Sequence, residues 1–175
     1  NSAPPINGFM PPIDRTAKLF IGGKQARPDS GYSRKVLDPE GRVLGEVGEG
    51  NRKDLRNAVE AARAAAGWGN QTAHNRAQVV YYIGENLAAR AEEVTARLAR
   101  MTGDAAGAGA EVDATIERLF SCAAWADKYD GAVHHTPLRN VTLAMPEAVG
   151  TIGIVCPDEA PLLAFVTLVA SAIAM

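Results

Sequence analysis

The sequence predicts an α/β protein in which hairpins and helices precede the first strand–turn–helix unit of a nucleotide-binding type of sheet. Apolar residues recur at helical spacing through the middle of the chain, and after Gly131 the pattern changes to that of strands. The apolar run 149–156 then stops at a proline, and two carboxylates and a second proline precede the apolar segment 162–175. Such strand–turn–helix units commonly carry the functional residues of α/β folds at the turn.

Composition limits the function classes. The chain has 175 residues, 47% of them hydrophobic and 22% charged, as expected of one globular domain. Its net charge is −2, so neither nucleic acid nor an anionic membrane is an expected partner. The two cysteines, Cys122 and Cys156, form no CxxC or Cys/His pattern, which predicts a reducing, cytoplasmic setting and no metal site.

The two ends of the chain have different compositions. Residues 1–16 are rich in proline, lack the features of a signal peptide and are interpreted as a linker or mobile arm. Residues 17–175 are interpreted as one incomplete domain. The apolar segment 162–175 is shorter than the roughly 20 residues of a membrane span and predicts a buried helix.

Local signals predict the first elements. A strand over 18–24 runs into Gly22-Gly23, and the turn 38–41, Asp-Pro-Glu-Gly, suits a type I hairpin turn. Asn51 is a plausible N-cap of a helix that ends at 67–69.

Further helices are predicted over 74–101 and 111–129, with a possible break of the first at Gly84 or at 91–93. The glycine-rich stretch between these helices, 103–109, lacks the Lys-Ser/Thr ending of a phosphate loop and is expected to be an ordinary loop. The remaining elements are predicted strands at 131–137, 141–145 and 149–156.

Other candidate residues are weaker. His134 and His135 are neighbours on a strand and face opposite sides, so they cannot ligate one metal. Cys156 ends an apolar strand, which favours a small buried side chain over a nucleophile, and Cys122 on its helix is interpreted in the same way.

The order of these elements resembles the N-terminal part of the aldehyde dehydrogenase superfamily. The resemblance is carried by five short stretches in order: 18–24, the turn 38–41, 58–62 followed by Gly67-Trp68, Arg76-Ala77, and Glu147-Ala148-Val149-Gly150 with alanine at the family's proline. Residues 155–166 are similar to the second, degenerate dehydrogenase-like domain of family-sixteen members, which carry two such domains in one polypeptide.

The resemblance implies a role for the turn. The family has Pro-Trp-Asn-x-Pro there, and its asparagine amide stabilises the oxyanion formed when a thiolate attacks an aldehyde. This chain has Glu159 at that position. A preorganised oxyanion donor is worth roughly 10²–10³ in rate, whereas an ionised glutamate only accepts hydrogen bonds and is negative. The turn is therefore expected to be non-catalytic.

Cys156, Pro157 and Asp158 occupy positions that line the cofactor site in the family, and we interpret them as vestigial. Asp158 stands at the family's tryptophan. Two roles fit it: with Glu159 it repels an anionic cofactor, or it caps the helix that begins near Pro161.

The resemblance implies a structural and assembly segment of an NAD-dependent aldehyde dehydrogenase, with catalysis in a domain outside this chain. The family's catalytic cysteine and general-base glutamate occur beyond residue 175. No cofactor is expected on this chain alone. The expected partner is another aldehyde dehydrogenase domain or subunit, in a homo-oligomer joined through strands near 131–145.

Two alternatives stay open. The first is the start of an active dehydrogenase domain with an altered oxyanion partner. The second is a stand-alone helical interaction protein, against which the uncovered apolar segment 162–175 argues.

Overall fold

A computed structural model describes residues 16–137 and 139–175. Within them, three antiparallel hairpins flank a helical body. The strands are β1 Leu19–Ile21, β2 Lys24–Ala26, β3 Ser33–Leu37, β4 Val43–Gly48, β5 Ala132–His135 and β6 Val141–Ala144. The α-helices are α1 Arg52–Ala64, α2 Ala73–Ala89, α3 Ala91–Thr102, α4 Ala105–Ala126 and α5 Pro161–Ala174.

The first two hairpins confirm the predicted turns. Gly22 and Gly23 join β1 to β2 with φ of 62° and 78°, values that favour glycine. The β3–β4 hairpin turns at 38–41, where the Gly41 amide donates to the Asp38 carbonyl at 2.9 Å. This is the closing hydrogen bond of a β-turn.

Asn51 is the N-cap of α1, as predicted, and the structure shows that this cap is a capping box. The Asn51 side chain accepts from the amides of Lys53 and Asp54, and the Asp54 carboxylate accepts from the Asn51 amide at 2.9 Å. Asp54 is buried and also accepts from the Asp29 amide. The cap therefore ties α1 to the loop before β3.

The helical stretch predicted over 74–101 is broken between α2 and α3 at Arg90, beside the predicted 91–93 break and not at Gly84. Gly84 lies buried inside α2, where a Cβ atom would lie 3.0 Å from the Phe120 ring. The glycine admits the aromatic ring of α4 and does not interrupt the helix.

The prediction of a loop over 103–109 is wrong, because α4 begins at Ala105 and not near Glu111. Gly103 ends α3 with a left-handed φ of 75°, and the Asp104 side chain accepts from the Gly107 amide at 2.8 Å. Gly103 thus ends α3, and the next residue, Asp104, caps α4. Gly107 and Gly109 therefore lie inside a helix.

The core is built around α4. Its buried positions include Val112, Thr115 and Leu119, and it packs against α2, α3 and α5. Cys122 is buried in this core, as predicted, together with Ala170 and Ala174 of α5. These contacts fix α5 on the helical body. In the described part of the chain, no helix has both the length and the apolar character needed to cross a membrane.

The predicted final helix and the strands predicted at 131–137 and 141–145 are confirmed as α5, β5 and β6, and the two strands pair as a hairpin. The third predicted strand is wrong. Residues 149–156, predicted as a strand, have no regular secondary structure and pair with no strand among the described residues. An apolar run becomes a strand only when another strand lies beside it to take its backbone hydrogen bonds.

Candidate functional site

The turn before α5 is sharp and contains no side-chain cap. Ala160 is the N-cap of α5 and has φ 45° and ψ 59°, the left-handed region that an alanine rarely adopts. Pro161 occupies the first helical position, where its missing N–H costs nothing. The backbone geometry therefore places residues 156–160 at the exposed entrance to the helix.

The two carboxylates of the turn project into solvent. Asp158 and Glu159 are exposed, and neither has a hydrogen bond or ion pair with the described residues. Asp158 does not cap α5, so the capping interpretation of this residue is wrong. No partner among residues 16–137 and 139–175 therefore holds either side chain in one orientation.

Cys156 is exposed, which corrects the prediction that it is a buried side chain. The prediction depended on a strand at 149–156, which does not form in the described part of the chain, and the residues described there leave the thiol exposed. Cys156, Pro157 and Asp158, the positions predicted to line a vestigial cofactor site, thus lie together on an open surface. Among residues 16–137 and 139–175, no cluster of histidine, cysteine or carboxylate side chains is suited to a metal ion.

The amino end of α5 is capped from another helix. The Glu111 Oε1 atom of α4 accepts from the amides of Leu162 at 2.8 Å and Leu163 at 3.1 Å. The Ala164 amide donates to the Ala160 carbonyl at 2.8 Å, and Pro161 has no N–H. Every N–H of the first turn of α5 is therefore satisfied, and a carboxylate lies at the positive end of the helix dipole.

The carboxyl end of α5 is held in a similar way. Trp68 Nε1 donates to the Ile173 carbonyl at 2.9 Å, and Arg76 Nε donates to the Ala174 carbonyl at 3.1 Å. Both carbonyls lie in the last turn, where a helix leaves its C=O groups unpaired. The cation of Arg76 also complements the negative end of the dipole.

These three contacts were not predicted, although Trp68 and Arg76 belong to the stretches that carry the resemblance. One signal was visible in the sequence. Ala160 and Pro161 offer no capping side chain before a long apolar helix, so its amino end requires an acceptor from elsewhere. Glu111 supplies it from α4.

The arrangement limits the chemistry of the turn. Its side chains are hydrogen-bond acceptors with negative charge, and the first-turn amides of α5 are occupied by Glu111. Both features disfavour an oxyanion or a phosphate group at this helix end. Glu159 in particular offers no donor in its ionised state.

Known proteins are similar to this chain in sequence and in fold. The profile of the aldehyde dehydrogenase family matches residues 26–175. Mouse cytosolic 10-formyltetrahydrofolate dehydrogenase is 30% identical over 162 residues, a match covering 83% of this chain and 17% of that protein. Horse aldehyde dehydrogenase 1A1 is 30% identical over 164 residues, covering 89% of this chain and 32% of that protein.

Solved structures agree. Betaine aldehyde dehydrogenase from Staphylococcus aureus, in complex with NAD⁺, superposes with a TM-score of 0.87 at 25% identity, covering 91% of this chain and 33% of that one. An NAD-dependent aldehyde dehydrogenase from Sinorhizobium meliloti gives a TM-score of 0.87 at 25% identity, covering 93% and 34%. The chain thus spans about a third or less of these proteins and has the fold of a partial aldehyde dehydrogenase domain. It belongs to the aldehyde dehydrogenase family.

Proposed function

We propose that this chain is the opening part of a non-catalytic aldehyde dehydrogenase-like domain. It serves structure and assembly in an NAD-dependent aldehyde dehydrogenase, which oxidises aldehydes to carboxylic acids in a catalytic domain outside this chain. The observation that carries the proposal is the exposed carboxylate of Glu159, which has no partner among the described residues. The resemblance assigns this residue to the position of the family's oxyanion asparagine.

The sign of the charge at residue 159 decides which species the turn can stabilise. Thiolate attack on an aldehyde concentrates negative charge on oxygen, and a donor at that oxygen lowers the barrier. An ionised carboxylate in the same place opposes the charge. Neighbouring Asp158 adds a second carboxylate to the same surface. A turn of this kind works against the first step of the family reaction.

The proposal places a second dehydrogenase-like domain in the same polypeptide, as in the family-sixteen enzymes. Matches of similar length cover 17% of the mouse 10-formyltetrahydrofolate dehydrogenase but 32% of the horse aldehyde dehydrogenase, so this family domain also occurs in longer proteins. Residues 1–16 would be the linker to the catalytic domain, and 17–175 the start of the non-catalytic one.

Exposed apolar side chains support the assembly role. Val133, Val141 and Leu143 of the β5–β6 hairpin are 74%, 74% and 57% exposed, and Phe165 of α5 is 52% exposed. A two-stranded hairpin also has unpaired edges that another strand can join. We assign these surfaces to contacts with another aldehyde dehydrogenase domain or subunit, in a cytoplasmic homo-oligomer.

NAD belongs to the parent protein in this proposal. The turn at Cys156, Pro157 and Asp158 is exposed, and the amides at the adjoining helix end are used by Glu111. Anionic side chains beside it disfavour the pyrophosphate of a dinucleotide. This chain alone is accordingly not expected to bind the cofactor.

The test replaces Glu159 by alanine in the full-length protein, with Asp158→Asn as the matched control on the neighbouring carboxylate. We expect kcat for NAD-dependent aldehyde oxidation to stay within about twofold of wild type for both variants, because neither group meets the reacting aldehyde. A rate loss of about 10² or more in Glu159→Ala alone, the size of a lost oxyanion contact, would sink the proposal.

A second candidate is the start of an active dehydrogenase domain. The observation that favours it is the preserved frame of the turn, with Pro161 at the first helical position and both ends of α5 held in place. Titration of the isolated complete domain with NAD separates the two. Tight binding, with turnover that depends on a cysteine beyond residue 175, would favour the active domain.

A further inference from the structure

The position of the turn does not depend on its own side chains. Ala160 gives α5 no side-chain cap, and Asp158 and Glu159 contact none of the described residues through hydrogen bonds or ion pairs. A turn without local anchors is held by the element to which it is joined. Here that element is the first turn of α5, whose donors go to Glu111.

We infer that Glu111 is the positioning residue of this turn. One of its oxygens, Oε1, accepts two amide hydrogens at 2.8 and 3.1 Å, so the carboxylate fixes both the axial position and the rotation of the helix start. The interaction joins α4 to α5 across 51 residues of sequence.

The packing of α4 holds Glu111 in place. It lies in α4 next to the buried Val112, and Thr115 one turn later is fully buried with its hydroxyl on the Glu111 carbonyl at 2.7 Å. A side chain on a packed helix has little freedom, so its carboxylate is a stable reference point for α5. Leu162 packs against the same Leu98–Ala108–Val112 cluster.

If Glu111 positions the turn, the backbone of the turn does not depend on which side chains residues 158 and 159 carry. Because α4 positions the turn, residues 158 and 159 can change without moving it, and a degenerate turn retains its place in the fold. The hydrogen bonds from Leu162 and Leu163 to Glu111 do not depend on the proposed function. The statement that they position a former oxyanion site rests on that proposal.

The experiment measures amide hydrogen exchange by mass spectrometry in the full-length protein. In Glu111→Ala, peptides covering 161–164 should exchange about tenfold faster or more, because a charge-assisted hydrogen bond to two amides is lost. Peptides covering 119–126 of α4 should exchange at the wild-type rate. Glu111→Gln keeps an acceptor oxygen and should restore most of the protection, whereas Glu111→Met, of similar length but without an acceptor oxygen, should exchange as fast as the alanine variant. A purely packing role would instead give protection at 161–164 in both of these variants.

Two results would overturn the assignment. One is wild-type exchange at 161–164 in Glu111→Ala, and the other is an equal increase in α4, which marks general destabilisation. Should the alanine variant not fold, Glu111→Met takes its place. It should show an increase of about tenfold confined to 161–164, because both amides lose their acceptor, and no increase there refutes the inference. The outcome is separable from the kinetic test at Glu159, which reads activity and not exchange.

Discussion

The indole Nε1 of Trp68 donates a hydrogen bond to the carbonyl oxygen of Ile173 at 2.9 Å, across 105 residues of sequence. It connects the 3₁₀ turn Ala66–Asn70 to the last turn of α5. The contact gives a physical reason for a tryptophan after α1, because an indole is long enough to reach a carbonyl that a helix end leaves unpaired.

Replacing Trp68 by phenylalanine should therefore lower the free energy of unfolding by about 1 kcal/mol, the typical worth of one hydrogen bond. Urea denaturation monitored by circular dichroism measures the change. Trp125→Phe is the matched control, because the Trp125 side chain is 59% exposed and makes no hydrogen bond with the described residues. Equal stability of the two variants would contradict a role for the indole N–H.

Gly84→Ala should destabilise the protein even though alanine is the better helix former. The new Cβ atom would lie 3.0 and 3.2 Å from two atoms of the Phe120 ring, which must shift. We expect a loss of about 1–3 kcal/mol, as for other overpacked cores.

Gly109→Ala is the control for Gly84→Ala. Gly109 is also in a helix, but an added Cβ meets nothing within 4 Å. This variant should gain about 0.5–1 kcal/mol from helix propensity alone. Thermal unfolding of the two variants should shift in opposite directions, and a stabilised Gly84→Ala would show that the ring does not resist the added carbon.

Asp29 should contribute to the acid sensitivity of the fold. Hydrogen bonds from Lys53 and Asn51 hold the pKa of Asp29 below its usual value of 3.8. A carboxyl with a lowered folded-state pKa contributes stability that is present above its unfolded pKa and lost as the pH falls through the folded one. The stability difference between wild type and Asp29→Asn should hence be constant above about pH 5 and shrink below about pH 4.

Urea denaturation between pH 6 and pH 2.5 tests the Asp29 prediction. Lys53→Met removes the cation that bonds Asp29 and should flatten the same dependence, because the stability that this variant loses is present above about pH 5 and already absent at low pH in the wild type. The prediction fails if the free energies of unfolding of wild type and Asp29→Asn differ by the same amount at every pH. The pKa of Asp29 would then be the same in the folded and the unfolded state.

Val141→Lys tests the assembly role. Val141 is 74% exposed on β6, so lysine is compatible with the isolated fold but places a charge in the proposed contact. Because an unpaired buried charge costs several kcal/mol, self-association should weaken by at least about tenfold. Sedimentation velocity measures it. Val43→Lys on β4, 54% exposed, is the control and should assemble like wild type.

Local signals predicted the parts of the fold that depend on neighbours in sequence. The 38–41 turn and the Asn51 cap are decided by residues within a few positions, and both were correct. The start of α4 was missed because Gly107 and Gly109 suggested a loop, whereas the preceding Asp104 supplies a cap. Once a helix is capped and packed, isolated glycines lower its stability without ending it.

The features that the sequence did not predict depend on contacts between residues far apart in the chain. The strand predicted at 149–156 needs a neighbouring strand, and no pattern inside those residues can supply one. The exposure of Cys156 results from the same missing strand. The contacts of Glu111, Trp68 and Arg76 with α5 span 51 to 105 residues, and a periodicity analysis cannot identify such pairs.

The central claim is that this turn takes no part in the family reaction, and Glu159→Asn tests it most directly. The substitution restores the amide of the family's oxyanion asparagine in the full-length protein and removes the opposing charge. We expect kcat for aldehyde oxidation to stay within about twofold of wild type. An increase of about 10² or more, the worth of one oxyanion donor, would contradict it by showing that aldehyde reacts at this turn.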